Sequence, residues 1–202
     1  MKEAVAKNDS TYEGSASFVN YVEGIYVGYK FYETAAEEGL IEYDSEVQYP
    51  FGYGLSYTTF EKTIENFKSS GDTVTFDVTV KNTGEVAGKD VVEIYYTPPY
   101  ENGGIEKASV NLIDFEKTEL IEPGETKTVS FEINKEDMAS YDSEEIKVSG
   151  GGYILEAGEY VISVRSDSHT VLAEERFTVS EDIDYSKEGR SSDNTAAVNQ
   201  FE

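Results

Sequence analysis

Ser56 is the first residue whose setting could support chemistry. It lies in Gly-Tyr-Gly-Leu-Ser-Tyr-Thr-Thr-Phe (52–60), between glycines and aromatic rings. A nucleophile elbow needs Gly-x-Ser-x-Gly; Gly54 is in place, but position 58 is Thr. A Ser–His–acid triad also needs a histidine, and the chain has one, His169, in Ser-Asp-Ser-His-Thr-Val (166–171). That stretch reads as a turn before the last strand, with His169 an exposed turn residue. Carboxylates are plentiful, but a glycosidase acid pair needs one carboxyl in a dry pocket with a raised pKa. Most acids here fall at polar strand positions and in turns, so they read as a solvated face.

Metal and phosphate chemistry find no better footing. No Asp-x-[Asp/Asn]-x-[Asp/Asn]-Gly loop with a following Glu is present. Gly-Gly-Gly-Tyr (150–153) lacks the helix and fingerprint spacing of a phosphate cradle and reads as a hairpin turn. The residues thus point to no catalytic, cofactor-binding or metal-binding set, and no cofactor is expected. With 41 acidic and 16 basic residues, the net charge is -25, which repels phosphate backbones and anionic lipid. Neither nucleic acid nor membrane is expected as a partner. There is no Cys for a disulfide framework. Residues 1–20 have no apolar h-region, so no signal peptide is expected in this chain, and a cytoplasmic setting is favoured over a secreted one.

Residues 61–180 alternate apolar and polar side chains between turn signals. Thr73–Asn82 puts Val74, Phe76, Val78 and Val80 on one face, which is a half-buried strand. Further strands are expected over 89–98, ended by Pro98-Pro99, and over 112–120, 126–134 and 170–180. The stretch 144–167 reads as strand, glycine turn, strand, and 135–143 as a short helical or turn insert. About seven strands at this spacing predict a mainly β protein, an antiparallel β-sandwich of immunoglobulin-like size. Residues 1–60 differ: they are rich in Tyr and Gly, with a short helical patch at 32–40. Tyr21, Tyr26, Tyr29, Phe31 and Tyr32 crowd together there without a clean helical or strand period. A piece this small and aromatic needs a neighbour to pack against.

At these residues a resemblance enters. Glu-Gly-Ile-Tyr-Val-Gly-Tyr-Lys-Phe-Tyr-Glu (23–33) and Tyr-Pro-Phe-Gly-Tyr-Gly-Leu-Ser-Tyr-Thr-Thr-Phe-Glu (49–61) resemble the end of the C-terminal α/β sandwich domain of family 3 glycoside hydrolases, the β-glucosidase group. The Asn-Thr-Gly, Val-Ala-Gly and Pro-Gly-Glu signals that follow resemble their fibronectin type III-like domain. The resemblance covers residues 20–180. It implies a fibronectin III-like sandwich preceded by the terminal piece of an α/β sandwich domain. Domains would run 1–60 (end piece and junction), 61–180 (sandwich) and 181–202 (polar linker or tail).

The family's nucleophile is an Asp in a Ser-Asp-Trp type motif on a barrel; this chain has no Trp and no such motif. Its acid/base Glu belongs to a loop with no match here, so no catalytic residue carries over, and Glu23 and Glu33 match only as parts of the aromatic segment. The resemblance therefore implies a non-catalytic portion whose partners are the remaining domains of a glycoside hydrolase, with carbohydrate substrate met through the full enzyme. Pro50, Phe51, Gly52, Tyr53, Gly54, Tyr57 and Phe60 would form the domain junction, and Phe51→Ala would cost ~3–5 kcal/mol if its ring is fully buried. The alternative is a free-standing carbohydrate-binding or adhesion module that stacks sugars on Tyr95, Tyr96 or Tyr100. In some family members the barrel follows this domain, and the segment 195–201 resembles the linker into it.

Overall fold

A computed structural model describes residues 24–191. Tyr21, Glu23, residues 1–20 and the linker-like segment 195–201 lie outside the described residues. Strand β1 (Phe60–Ser70) pairs antiparallel with β2 (Thr73–Asn82), which pairs on its other side with β5 (Thr126–Asn134). The facing sheet runs β4 (Asn111–Lys117), β3 (Val91–Thr97), β8 (Gly158–Arg165), β9 (Val171–Val179), all antiparallel. A small third sheet joins β6 (Ser140–Asp142), β7 (Gly152–Leu155) and β10 (Ile183–Asp184). Two helices precede the sandwich, α1 (Tyr29–Glu37) and α2 (Tyr43–Glu46).

The core is what the alternation dictates. Val74, Phe76, Val78 and Val80 of β2 and Val129, Phe131 and Ile133 of β5 are buried against Val92 and Ile94 of β3 and Tyr160, Ile162 and Val164 of β8. Cross-strand partners pair their rings. Phe76 opposes Phe131 and stacks on it at 5.4 Å, and Tyr160 opposes and stacks on Phe177 at the same distance. Edge strand β1 carries Glu61, Lys62, Glu65 and Lys68, with a bulge between Glu65 and Lys68. Both features discourage pairing with another chain.

Two expectations need correction. The apolar alternation in 144–148 predicts a strand, yet these residues form turns. The Asp142 carboxylate, fully buried, accepts hydrogen bonds from the backbone N–H groups of Ile146 (3.0 Å), Lys147 (2.7 Å) and Val148 (2.9 Å). A side chain thus takes the donors that a strand ladder would have used. Second, Ile183 and Asp184, inside the stretch read as polar tail, pair with Leu155 and Ile154, and Tyr185 packs against the core.

Candidate functional site at the junction

Helix α1 and the loop after α2 are docked onto one end of the sandwich. The Leu112 N–H donates to the Tyr29 hydroxyl oxygen at 2.8 Å, the Ser109 N–H to Thr34 Oγ1 at 3.0 Å, and the Ser168 N–H to the Phe51 carbonyl at 2.7 Å. Gly52 makes the last contact possible. Its φ of +86° suits glycine, and a Cβ there would fall 2.4 Å from the Glu93 carboxylate. Glu93 is itself half-buried. Burial raises its pKa, only partly offset by the hydrogen bond it accepts from the Tyr95 hydroxyl at 2.7 Å.

A buried carboxylate, Glu33 on α1, gathers the rest. It accepts from the Tyr43 hydroxyl at 2.6 Å and the Ser168 hydroxyl at 2.9 Å, and lies 3.0 Å from His169 Nδ1. The His169 ring lies flat on Tyr43 with centroids 3.8 Å apart. Burial, then the bond to Glu33, pushes the Tyr43 pKa well up, so its hydroxyl stays a donor. His169 is on the surface, as expected for a turn residue, yet it is also tied to α1 and α2. Ser168, His169 and Glu33 hold the residue types of a triad without its geometry. The Ser168 hydroxyl is buried and donates to Glu33 instead of His169, so the imidazole is not placed to take its proton as in a triad. Ser56 is equally unsuited: its hydroxyl oxygen accepts from the Thr58 N–H at 3.3 Å within a bend.

This cluster is a latch, and Glu33→Ala is expected to loosen it. The change leaves the Tyr43 and Ser168 hydroxyls without their acceptor inside the docked face, a loss of about 2–3 kcal/mol. Limited chymotrypsin digestion should then cut faster at Tyr49, Phe51 and Tyr53, while hydrogen exchange in β2 and β5 stays unchanged.

Beyond the latch, the junction residues face outward. Tyr57 is 99 % exposed, Leu55 90 % and Phe51 49 %, with the Phe51 ring stacked on Tyr29 at 4.8 Å. Tyr49 and Tyr53 are exposed and pack together, with centroids 5.2 Å apart. Pro50 is half-buried, Gly54 is exposed, and Phe60 packs against the sandwich core. Inward from them, Thr58 donates to the buried Asn82 side chain at 2.7 Å. Gly84 lies so close to Thr58 that a Cβ there would come 2.2 Å from its hydroxyl. The Thr-Thr-Phe end of the loop is thus clamped by the Asn-Thr-Gly turn.

The expected sugar platform at Tyr95 and Tyr96 does not exist. Tyr95 is 0 % exposed, covered by the edge of the Tyr29 ring at 6.2 Å and the Arg165 guanidinium at 5.7 Å. Tyr96 packs against the core beside Ile94, and burial pushes its pKa up to about 12. The docked α1 segment hides Tyr95, and strand alternation turns Tyr96 inward; Tyr100 alone of the three stays on the surface. Among the described residues, no group of three or more His, Cys, Asp or Glu side chains could hold a metal ion.

Two antiparallel sheets packed face to face, with an end loop clamped by Asn82, define a fibronectin type III-like domain. The family described as "Fibronectin type III-like domain" matches residues 90–168. The chain is 42 % identical over 166 residues to a β-glucosidase of Kluyveromyces marxianus, covering 82 % of this chain and 18 % of that protein. It is 35 % identical over 159 residues to an exo-α-(1→6)-L-arabinopyranosidase of Bifidobacterium longum, covering 78 % and 19 %. The solved structure of β-glucosidase 3B from Thermotoga neapolitana in complex with glucose superposes with a TM-score of 0.69 at 38 % identity, covering 81 % of this chain and 21 % of that one. The chain corresponds to the C-terminal region of family 3 glycoside hydrolases, β-glucosidase-like and including their fibronectin type III-like domain. It spans about a fifth of the length of the curated relatives it matches, which are larger, multidomain enzymes.

Proposed function

We propose that this chain is a non-catalytic portion of a family 3 glycoside hydrolase that braces the catalytic domains, which are its partners. One observation carries this: the loop 49–57 is tied to the sandwich through the Phe51 carbonyl and, at its end, Thr58, yet presents Tyr49, Tyr53, Leu55 and Tyr57 to solvent. A loop held this firmly with its rings outward suits a preformed seam more than a mobile lid. Pro50, Phe51, Gly52, Tyr53, Gly54, Tyr57 and Phe60 would make that seam. Residues 1–60 would complete an α/β sandwich domain, 61–180 together with the strand Ile183–Asp184 and Tyr185 form the brace, and the residues after them lead away as a linker or tail. Carbohydrate would be hydrolysed only by the full enzyme.

The chain alone is therefore expected to release no aglycone from aryl β-glucosides. Turnover that follows the chain through purification, and disappears when one of its carboxylates is substituted, would overturn the non-catalytic assignment.

A further inference from the structure

We propose that the hollow between α1 and the segment joining β3 to β4 is a binding site for a neutral saccharide unit. Its volume is about 320 Å³, within the range of small-ligand sites. Tyr26 and Phe31 line it from the α1 side and Tyr100 from the β3–β4 side. Glu38, Asn102 and Glu106 supply its polar groups. A pyranose has C–H groups on its faces and hydroxyls around its rim. Aromatic rings take the faces, and carboxylate and amide oxygens accept the hydroxyl protons. Glu106 is held in place by hydrogen bonds from the Tyr26 and Tyr100 hydroxyls, the latter at 3.5 Å, so part of the polar rim is pre-oriented.

Charge and size narrow the ligand. Two carboxylates in a chain of net charge -25 exclude an anion. The largely apolar hollow is larger than a compact ammonium group needs, and Asn102 offers donors that a cation cannot use.

The site is separate from the seam. Phe31, Thr34, Ala35 and Glu38 form one stripe of α1 and face this hollow, whereas Tyr29 and Tyr32 face the 47–51 loop. At 3.6 residues per turn these two faces are about 140° apart.

Titration of the full chain with glucose and with cellobiose tests this, read by tyrosine emission, which no Trp obscures. Saturable binding is expected, weakened about tenfold or more by Phe31→Ala and by Tyr100→Ala. Both side chains are well exposed, 48 % and 39 %, so the melting temperature should hold. Tyr53→Ala, on the seam, should leave binding intact. A flat response to both sugars overturns the proposal, as does binding abolished by Tyr53→Ala but not by Phe31→Ala. Saturable binding of tetramethylammonium with no response to sugar also overturns it, assigning the hollow to a cation.

Discussion

Replacing Asn82 by alanine is expected to lower stability by about 3–5 kcal/mol, one of the two largest effects of any single change in this chain. The side chain is completely buried and uses all its hydrogen-bonding capacity. Nδ2 donates to the carbonyls of Val86 at 2.8 Å and Ile121 at 2.9 Å. Oδ1 accepts from the Thr58 hydroxyl at 2.7 Å and the Gly84 N–H at 3.0 Å. Alanine strands the Val86 carbonyl, the Thr58 hydroxyl and the Gly84 N–H, and leaves a small void; the Ile121 carbonyl keeps the Gly88 N–H at 3.1 Å. Asn82→Asp should be at least as costly, because a carboxylate would face two carbonyl oxygens that now receive protons. Thr58→Val should cost only about 1 kcal/mol, since one bond is lost and the volume is kept. Urea unfolding measures all three: the midpoint should fall least for Thr58→Val, further for Asn82→Ala and at least as far for Asn82→Asp, with the slope unchanged. An Asn82→Ala midpoint equal to that of the parent would show that the turn is held by something else.

Asp142→Ala is the second, at about 3–5 kcal/mol, because three backbone N–H groups lose their acceptor at a site with 0 % exposure. Asp142→Asn should recover part of that loss, as its one carbonyl oxygen can serve some of the three. The charge adds a pH signature. Burial alone would raise the Asp142 pKa, but the N–H groups of Lys147, Val148 and Ile146 together hold it below the ordinary carboxylate value. A depressed folded-state pKa contributes stability that is fully present above the unfolded value, about pH 3.9, and is lost as pH falls through the lower folded value. The stability gap between the parent and Asp142→Asn should therefore be constant above about pH 5 and close below about pH 4. A gap that widens in acid would show that the carboxylate is not the acceptor described.

How legible the protein was in its sequence depends on how local each cause is. Strands β2 and β5 were legible to the residue, because each buries one face and period-2 alternation is its direct trace. The stretch 144–148 carries the same trace but follows Asp142, whose carboxylate takes its amides; a period cannot show which acceptor an N–H will find. Tyr95 was misjudged because its strand face is polar by pattern and is covered only when α1, distant in sequence, docks upon it. The Glu33–His169 latch joins residues 136 positions apart, and no spacing rule links them. The junction loop was legible as a loop from its Pro and Gly residues, while its ties to Asn82 and to the Ser168 N–H needed the folded backbone.

The seam proposed for loop 49–57 can be tested by tyrosine nitration mapped by mass spectrometry, on this chain alone and on the proposed full-length enzyme. Tyr57, at 99 % exposure, should be nitrated readily in the isolated chain and strongly protected in the longer protein. Equal reactivity of Tyr57 in the two would contradict the seam, and with it the bracing role built on that face.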